Sequence, residues 1–107
     1  MELVEKIIKI LEDKKALDIK QINITEKTTI ADYFIIASGT SNTHIKALAD
    51  NVEEELKKQD IKPAKIEGYN SGTWILMDYS DVIVHIFTEL EREHYNLEDL
   101  WEKADKK

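Results

Sequence analysis

Residues 74–101, WILMDYSDVIVHIFTELEREHYNLEDLW, decide how this chain is read. Thr73–Asp78 and Asp81–Thr88 are apolar runs of strand length separated only by Tyr79-Ser80, which predicts an antiparallel pair about a tight turn. In the second run Val82, Val84 and Ile86 alternate with Ile83, His85 and Phe87. Both faces are then largely apolar, so the strand belongs inside a sheet and covered on both sides. An acidic, aromatic tail follows. Between Asp78 and Asp105 nine carboxylates stand against Arg92 and Lys103, which accounts for the whole formal charge of −7, while the remainder balances 13 basic against 13 acidic side chains. A charge bias confined to one end and interleaved with Tyr79, Tyr95 and Trp101 suits a surface that meets something basic.

The preceding residues supply the other layers. Leu3, Val4, Ile7, Ile8, Ile10 and Leu11 recur at helical spacing, predicting an amphipathic helix over residues 2–15. From Leu17 to Thr25 the pattern alternates but shifts phase midway, as suits an edge strand, whereas Asp32–Ser38 is a continuous apolar run expected at the centre of the sheet. Gly39-Thr40-Ser41 turns the chain, with Ser41 placed to cap a helix whose stripe is Ile45, Leu48, Ala49, Val52 and Leu56, out to about Gln59. Pro63 closes it off, Ala64–Glu67 is a short strand, and Gly68–Gly72 is a loop. Asn96 is placed to cap a last helix, Leu97–Ala104, with Leu97, Leu100, Trp101 and Ala104 as its apolar face. The order α-β-β-α-β-β-β-α predicts an α/β fold: a single domain over residues 1–107, with a mixed β-sheet of about five strands flanked by helices.

Composition narrows the function. At 107 residues, 42% hydrophobic and 35% charged, the chain can bury one core without staples. With no cysteine, disulfides and thiolate metal sites are excluded. No apolar run approaches the roughly 20 residues of a bilayer span, and the N-terminus does not read as a signal or transit peptide, so a cytoplasmic protein without membrane contact is expected. A net −7 with one arginine argues against DNA, and against RNA as the dominant contact.

Catalysis finds little support. A strand running into Ser38-Gly39-Thr40-Ser41 at a helix start has the build of an anion site, and nucleotidyltransferases carry a Gly-Ser element at such a junction. Their metal ions also need two carboxylates one residue apart on the following strand, where Ala64-Lys65-Ile66-Glu67 offers one acid. A tight turn plus a helix cap explains the element more simply. His44, His85 and His94 lack ligand spacing, and no serine sits in a nucleophile elbow. No catalytic residue, cofactor or metal is therefore assigned. The aromatic–acidic tail has a plain reading too, in which Leu100 and Trp101 merely lay the last helix on the sheet. Against this, Trp and Tyr dominate interface energetics, and Trp74, Tyr79, Tyr95 and Trp101 all lie within residues 74–101, which hold most of the charge excess.

The chain resembles the ribosomal silencing factors, the RsfS or Iojap-related family, over nearly its whole length. The matching segments are ADYFIIASGTS (31–41), ALADNVEEEL (47–56), Glu67-Gly68, WILMDYSDVIVHIF (74–87) and the E-R-E-x-Y-x-L-E-x-L-W pattern of residues 91–101. Thr43 departs from the pattern, since many members carry Arg after Ser-Asn. The resemblance implies a nucleotidyltransferase-like fold without that activity. It also implies a partner, the large ribosomal subunit through its ribosomal protein fourteen, whose occupation prevents the small subunit from joining and represses translation when nutrients are scarce. A homodimer is a further implication. Their position in the charge-biased, aromatic stretch places Trp74, Met77, Tyr79, Asp81, Tyr95 and Trp101 at or near the ribosomal contact, with Asp78, Glu89 and Glu91 as charged candidates. The competing readings are a nucleotide-binding enzyme using Gly39-Thr40-Ser41, and a homodimer whose sheet binds only itself.

Overall fold

Alternation of side chains along five strands divides this molecule into two faces with different fates. The computed structural model describes residues 2–97, 99 and 100. Its elements are α1 (Glu2–Asp13), β1 (Leu17–Asn23), β2 (Tyr33–Gly39), α2 (Asn42–Lys57), β3 (Lys65–Glu67), β4 (Trp74–Asp78), β5 (Val82–Thr88) and α3 (Glu89–Tyr95). The strands form one mixed sheet in the order β1-β2-β5-β4-β3; β2 and β5 run parallel at its centre, and the other neighbours are antiparallel.

Each expected strand is present within a residue or two. β1 is an edge, and the phase shift in its sequence is a register break between Leu17 and Lys20, where Asp18 takes a positive φ of 48°. The β4–β5 turn is closed by the Tyr79 amide donating to the Val82 carbonyl at 2.9 Å and the Ser80 amide donating to Asp78 Oδ1 at 2.8 Å, with Ser80 at φ 73°. Ser41 caps α2, its hydroxyl accepting from the His44 amide at 3.0 Å. Gly68, at φ +78°, lies against β4 so closely that a Cβ there would run into the Trp74 carbonyl oxygen.

One face of the sheet is roofed by α1 and α2. Val4, Ile7 and Leu11 of α1 and Ile45, Leu48, Ala49, Val52 and Leu56 of α2 pack on Ile35, Ala37, Ile75, Met77, Val82, Val84 and Ile86. The opposite face carries a second apolar cluster: Ile22, Ile24, Ala31, Phe34, Ile36, Ile83 and Phe87, flanked by Trp74, Leu76 and Leu97. Its covers are the β1–β2 loop, through Ile24 and Ala31, and α3 at one end.

Two expectations are corrected here. Residues 89–95 are not an irregular tail but α3, started by Thr88, whose hydroxyl accepts from the Glu91 amide at 3.3 Å. Asn96 is the left-handed C-cap of α3 (φ 50°), its amide donating to the Arg92 carbonyl; its own carbonyl accepts from the Leu100 amide as helical structure resumes. The remainder of the expected last helix, with Trp101, lies outside the described residues. Second, Met77 (0% exposed) and Tyr79 (6%) are core side chains packed under the helices and have no surface to offer a partner. Strand alternation puts them opposite Trp74, Leu76 and Asp78.

The Tyr79 hydroxyl is buried with no hydrogen-bond partner among the described residues, and burial, with the Glu53 carboxylate adding, pushes its pKa up to about 12. Tyr79→Phe is therefore expected to leave stability unchanged or raise it by about 1 kcal/mol, because an unsatisfied group is removed. Tyr79→Ala should cost about 3–5 kcal/mol by opening a cavity. Thermal denaturation of the two variants measures both.

Candidate functional site

Register places the second face in rows. Lys65, Asp78, Ile83, Phe34 and Ile22 stand across from one another from β3 to β1; the next row is Glu67, Leu76, His85 and Ile36, and the third is Trp74, Phe87 and Ser38. His85 thus sits at the middle of the face, 4% exposed. Trp74 is half-buried over it, donating its indole N–H to His85 Nδ1 at 3.1 Å and stacking on Phe87 at 4.9 Å between centroids. Tyr95 of α3, 46% exposed, completes the aromatic group with its ring 4.7 Å from that of Trp74. Trp74 and Tyr95, distant in sequence, are brought into contact at one end of the face.

The acids divide by environment. Asp78 shares the face with Trp74 and is partly buried through its bond to the Ser80 amide, and Asp81 is exposed at the β4–β5 turn. Glu89 and Glu91 lie in the first turn of α3, where the helix dipole favours negative charge whatever else they do. Asp78, Asp81 and Glu89 have no ion pair among the described residues.

Residues that sequence reasoning passed over complete the face. Ile30, 62% exposed, together with Phe34, Leu76, Ile83 and His85, lines a trough of about 250 Å³ rimmed by Lys65, Glu67 and Asp78. That is smaller than the roughly 300–1,000 Å³ typical of small-molecule pockets and suits one or two side chains. Arg92, 9% exposed, was also missed. It donates to Ser38 Oγ at 3.0 Å and to the Leu17 carbonyl at 3.4 Å, holding α3 to the ends of β1 and β2.

The β2–α2 loop, where a phosphate would be cradled, is filled from within. The Thr40 amide donates to His44 Nδ1 at 2.9 Å, and His44 Nε2 lies 3.1 Å from the Lys14 carbonyl. A Cβ on Gly39 would collide with Ile45 and crowd His44. His44 therefore occupies one of the amides an anion would need, and ties the loop to the end of α1. Among the described residues no cluster of His, Asp and Glu is placed to hold a metal.

This is a small α/β protein whose sheet is roofed on one side by α1 and α2 and presents aromatic rings and acids on the other. Comparison with known proteins says of which kind. The whole chain, residues 1–107, matches the family described as "Ribosomal silencing factor during starvation", and the chain belongs to that RsfS/Iojap-related family. It is 37% identical over 103 residues to the ribosomal silencing factor RsfS of Halalkalibacterium halodurans, covering 96% of this chain and 88% of that protein. It is 40% identical over 101 residues to the RsfS of Haemophilus influenzae, covering 94% and 99%. A crystal structure of a Chromobacterium violaceum protein superposes with a TM-score of 0.92 at 36% identity, covering 97% of this chain and 87% of that one. At the family level the function is ribosome silencing, a control on translation.

His85 gives the site a measurable signature. Burial lowers its pKa to about 4 from the ordinary 6.5, so the folded state holds the neutral ring. The unfolded chain takes up the proton first, so this contribution to stability is full above pH 6.5 and declines as pH falls through about 4. The loss is on the order of 3 kcal/mol. Chemical denaturation between pH 7 and pH 4 should show that slope in the native protein and a flatter one in His85→Phe.

Proposed function

We propose that this protein docks on the large ribosomal subunit through the face of its sheet opposite α1 and α2 and sterically keeps the small subunit from joining. The contact would be ribosomal protein fourteen of that subunit, the setting the cytoplasm, and the need greatest under nutrient limitation. The observation carrying this is the union of family membership with an aromatic pair, half-buried Trp74 and exposed Tyr95, on a face edged by Asp78, Asp81, Glu89 and Glu91.

Electrostatics and packing have separate tasks in this reading. The ribosomal surface is largely phosphate, and a chain of net charge −7 is repelled from it, so association is favoured only where a basic protein is exposed. Each rim ion pair contributes about 0.2–1 kcal/mol, whereas truncating a buried aromatic anchor costs about 2 kcal/mol or more. Trp74 and Tyr95 are therefore the anchors and the acids set rate and selectivity. Met77 and Tyr79, being core, are no part of the contact. The scaffold is a nucleotidyltransferase-like fold put to non-catalytic use, a reading supported by His44 occupying the amide of Thr40.

Co-sedimentation with isolated large subunits at two salt concentrations, followed by addition of small subunits, tests the proposal. The protein should pellet with large subunits, less at high salt, and reduce the yield of joined particles. Tyr95→Ala should weaken capture by about tenfold or more without changing thermal stability greatly. Asp81→Lys should weaken it a few-fold and flatten its salt dependence. Undiminished subunit joining in the presence of saturating protein would overturn the function.

A further inference from the structure

The open face contains one unmet hydrogen bond at its centre. An indole N–H can only donate, so the 3.1 Å contact from Trp74 Nε1 makes His85 Nδ1 an acceptor and places the imidazole proton on Nε2. That Nε2 is buried and has no hydrogen-bond partner among the described residues. Phe34 stands edge-to-face against the ring at 4.7 Å and offers no lone pair. Buried donors are nearly always satisfied, and one held in a fixed tautomer on the wall of a trough is the exception that calls for a function. The trough itself is apolar in its walls, through Ile30, Phe34, Leu76 and Ile83.

We infer that His85 Nε2–H is the donor that reads the docking partner's backbone, receiving a carbonyl oxygen next to an apolar side chain that fills the trough. The inference rests on the docking reading above and names the chemistry of its occupant: a segment of a basic protein with an apolar residue between cationic neighbours. Size supports a side chain, because about 250 Å³ is too small for most free ligands. Charge supports cationic flanks. On the rim Lys65 is already bound to Glu67 at 3.2 Å, which leaves Asp78 beside the trough and Asp81 at the adjoining turn, both without an ion pair among the described residues. Ile30, exposed at the mouth, is the side chain free to shift as the segment enters. In this arrangement the acids attract any basic surface, while the carbonyl–imidazole bond selects the register in which the apolar side chain seats.

Three variants of the full chain test it: His85→Phe, which keeps a ring but deletes both nitrogens; His85→Gln, whose side-chain amide places an N–H near the position of Nε2; and Ile30→Glu at the exposed mouth. Affinity for isolated large subunits is measured by co-sedimentation, with thermal denaturation as the check on folding and sedimentation velocity on the free proteins as the check on self-association. The expected result is a loss of about tenfold in His85→Phe, the worth of one buried hydrogen bond, with His85→Gln within about threefold of the native chain. Ile30→Glu should lose binding while melting normally. Native-like affinity in a folded His85→Phe overturns the inference and leaves the docking reading standing, as does an equal loss in a folded His85→Gln, which would make ring shape the determinant. If His85→Phe fails to fold, retained binding by Ile30→Glu overturns it. Native dimers that dissociate in His85→Phe would make a second copy the occupant, and overturn it too. Failure of the native chain to pellet at all refutes the docking reading itself.

Discussion

Two parallel strands lie side by side at the centre of this sheet, and each is apolar on both faces. β2 and β5 pair from Tyr33 with Val82 to Gly39 with Thr88, and all but the end residues are buried. Parallel neighbours cannot be joined by a hairpin, so the chain between them must cross over. It does so through α2 and the β3–β4 pair, which extend the sheet on the far side of β5. Both faces of the central pair then demand cover, yet α1 and α2 lie on the same one. The other is covered piecemeal, by the β1–β2 loop, by α3 and by long side chains of the sheet itself. Among the described residues, that face is left partly open.

The proposed function uses what the core leaves over. The residues of the open face are the sort that protein interiors hold, Phe34, Ile83 and Phe87 among them, joined by groups that can also face a partner: Trp74, His85, Tyr95 and the acids at the turn. On the proposed docking reading, stability and recognition draw on one set of side chains. Trp74 shows this most clearly, since its ring braces Phe87 and Tyr95 while its N–H sets the state of His85. Removing it would disturb both roles, whereas Tyr95 and Asp81 lie far enough out to separate them.

Much of this was legible in the sequence because it follows from periodicity. The apolar stripes of α1 and α2, the cap at Ser41, the central strands and even the irregularity of β1 could be read from spacing alone. Two errors had signals that were available. The run Thr88-Glu89-Leu90-Glu91 has the form of a capping box, hydroxyl followed three residues later by Glu, and so marked the start of α3 despite the scarcity of apolar residues after it. Trp74, Met77, Asp78 and Tyr79 cannot all face one way on a strand of period two, so grouping them at one surface contradicted the alternation that defined the strand. Other features were beyond reach. That Ile30 and His85 border one trough, that Arg92 reaches Leu17 and Ser38, and that His44 fills the β2–α2 loop all depend on the order in which strands assemble.

Arg92 is the chain's single arginine, and its position couples two distant edges of the molecule. From α3 a single guanidinium nitrogen, Nη1, reaches a hydroxyl of β2 and a carbonyl of β1. The helix bearing Tyr95 is thereby moored to the outermost strand on the opposite flank. Displacing Tyr95 together with its helix would therefore break bonds at the bulged rim of the sheet, so the two move as one.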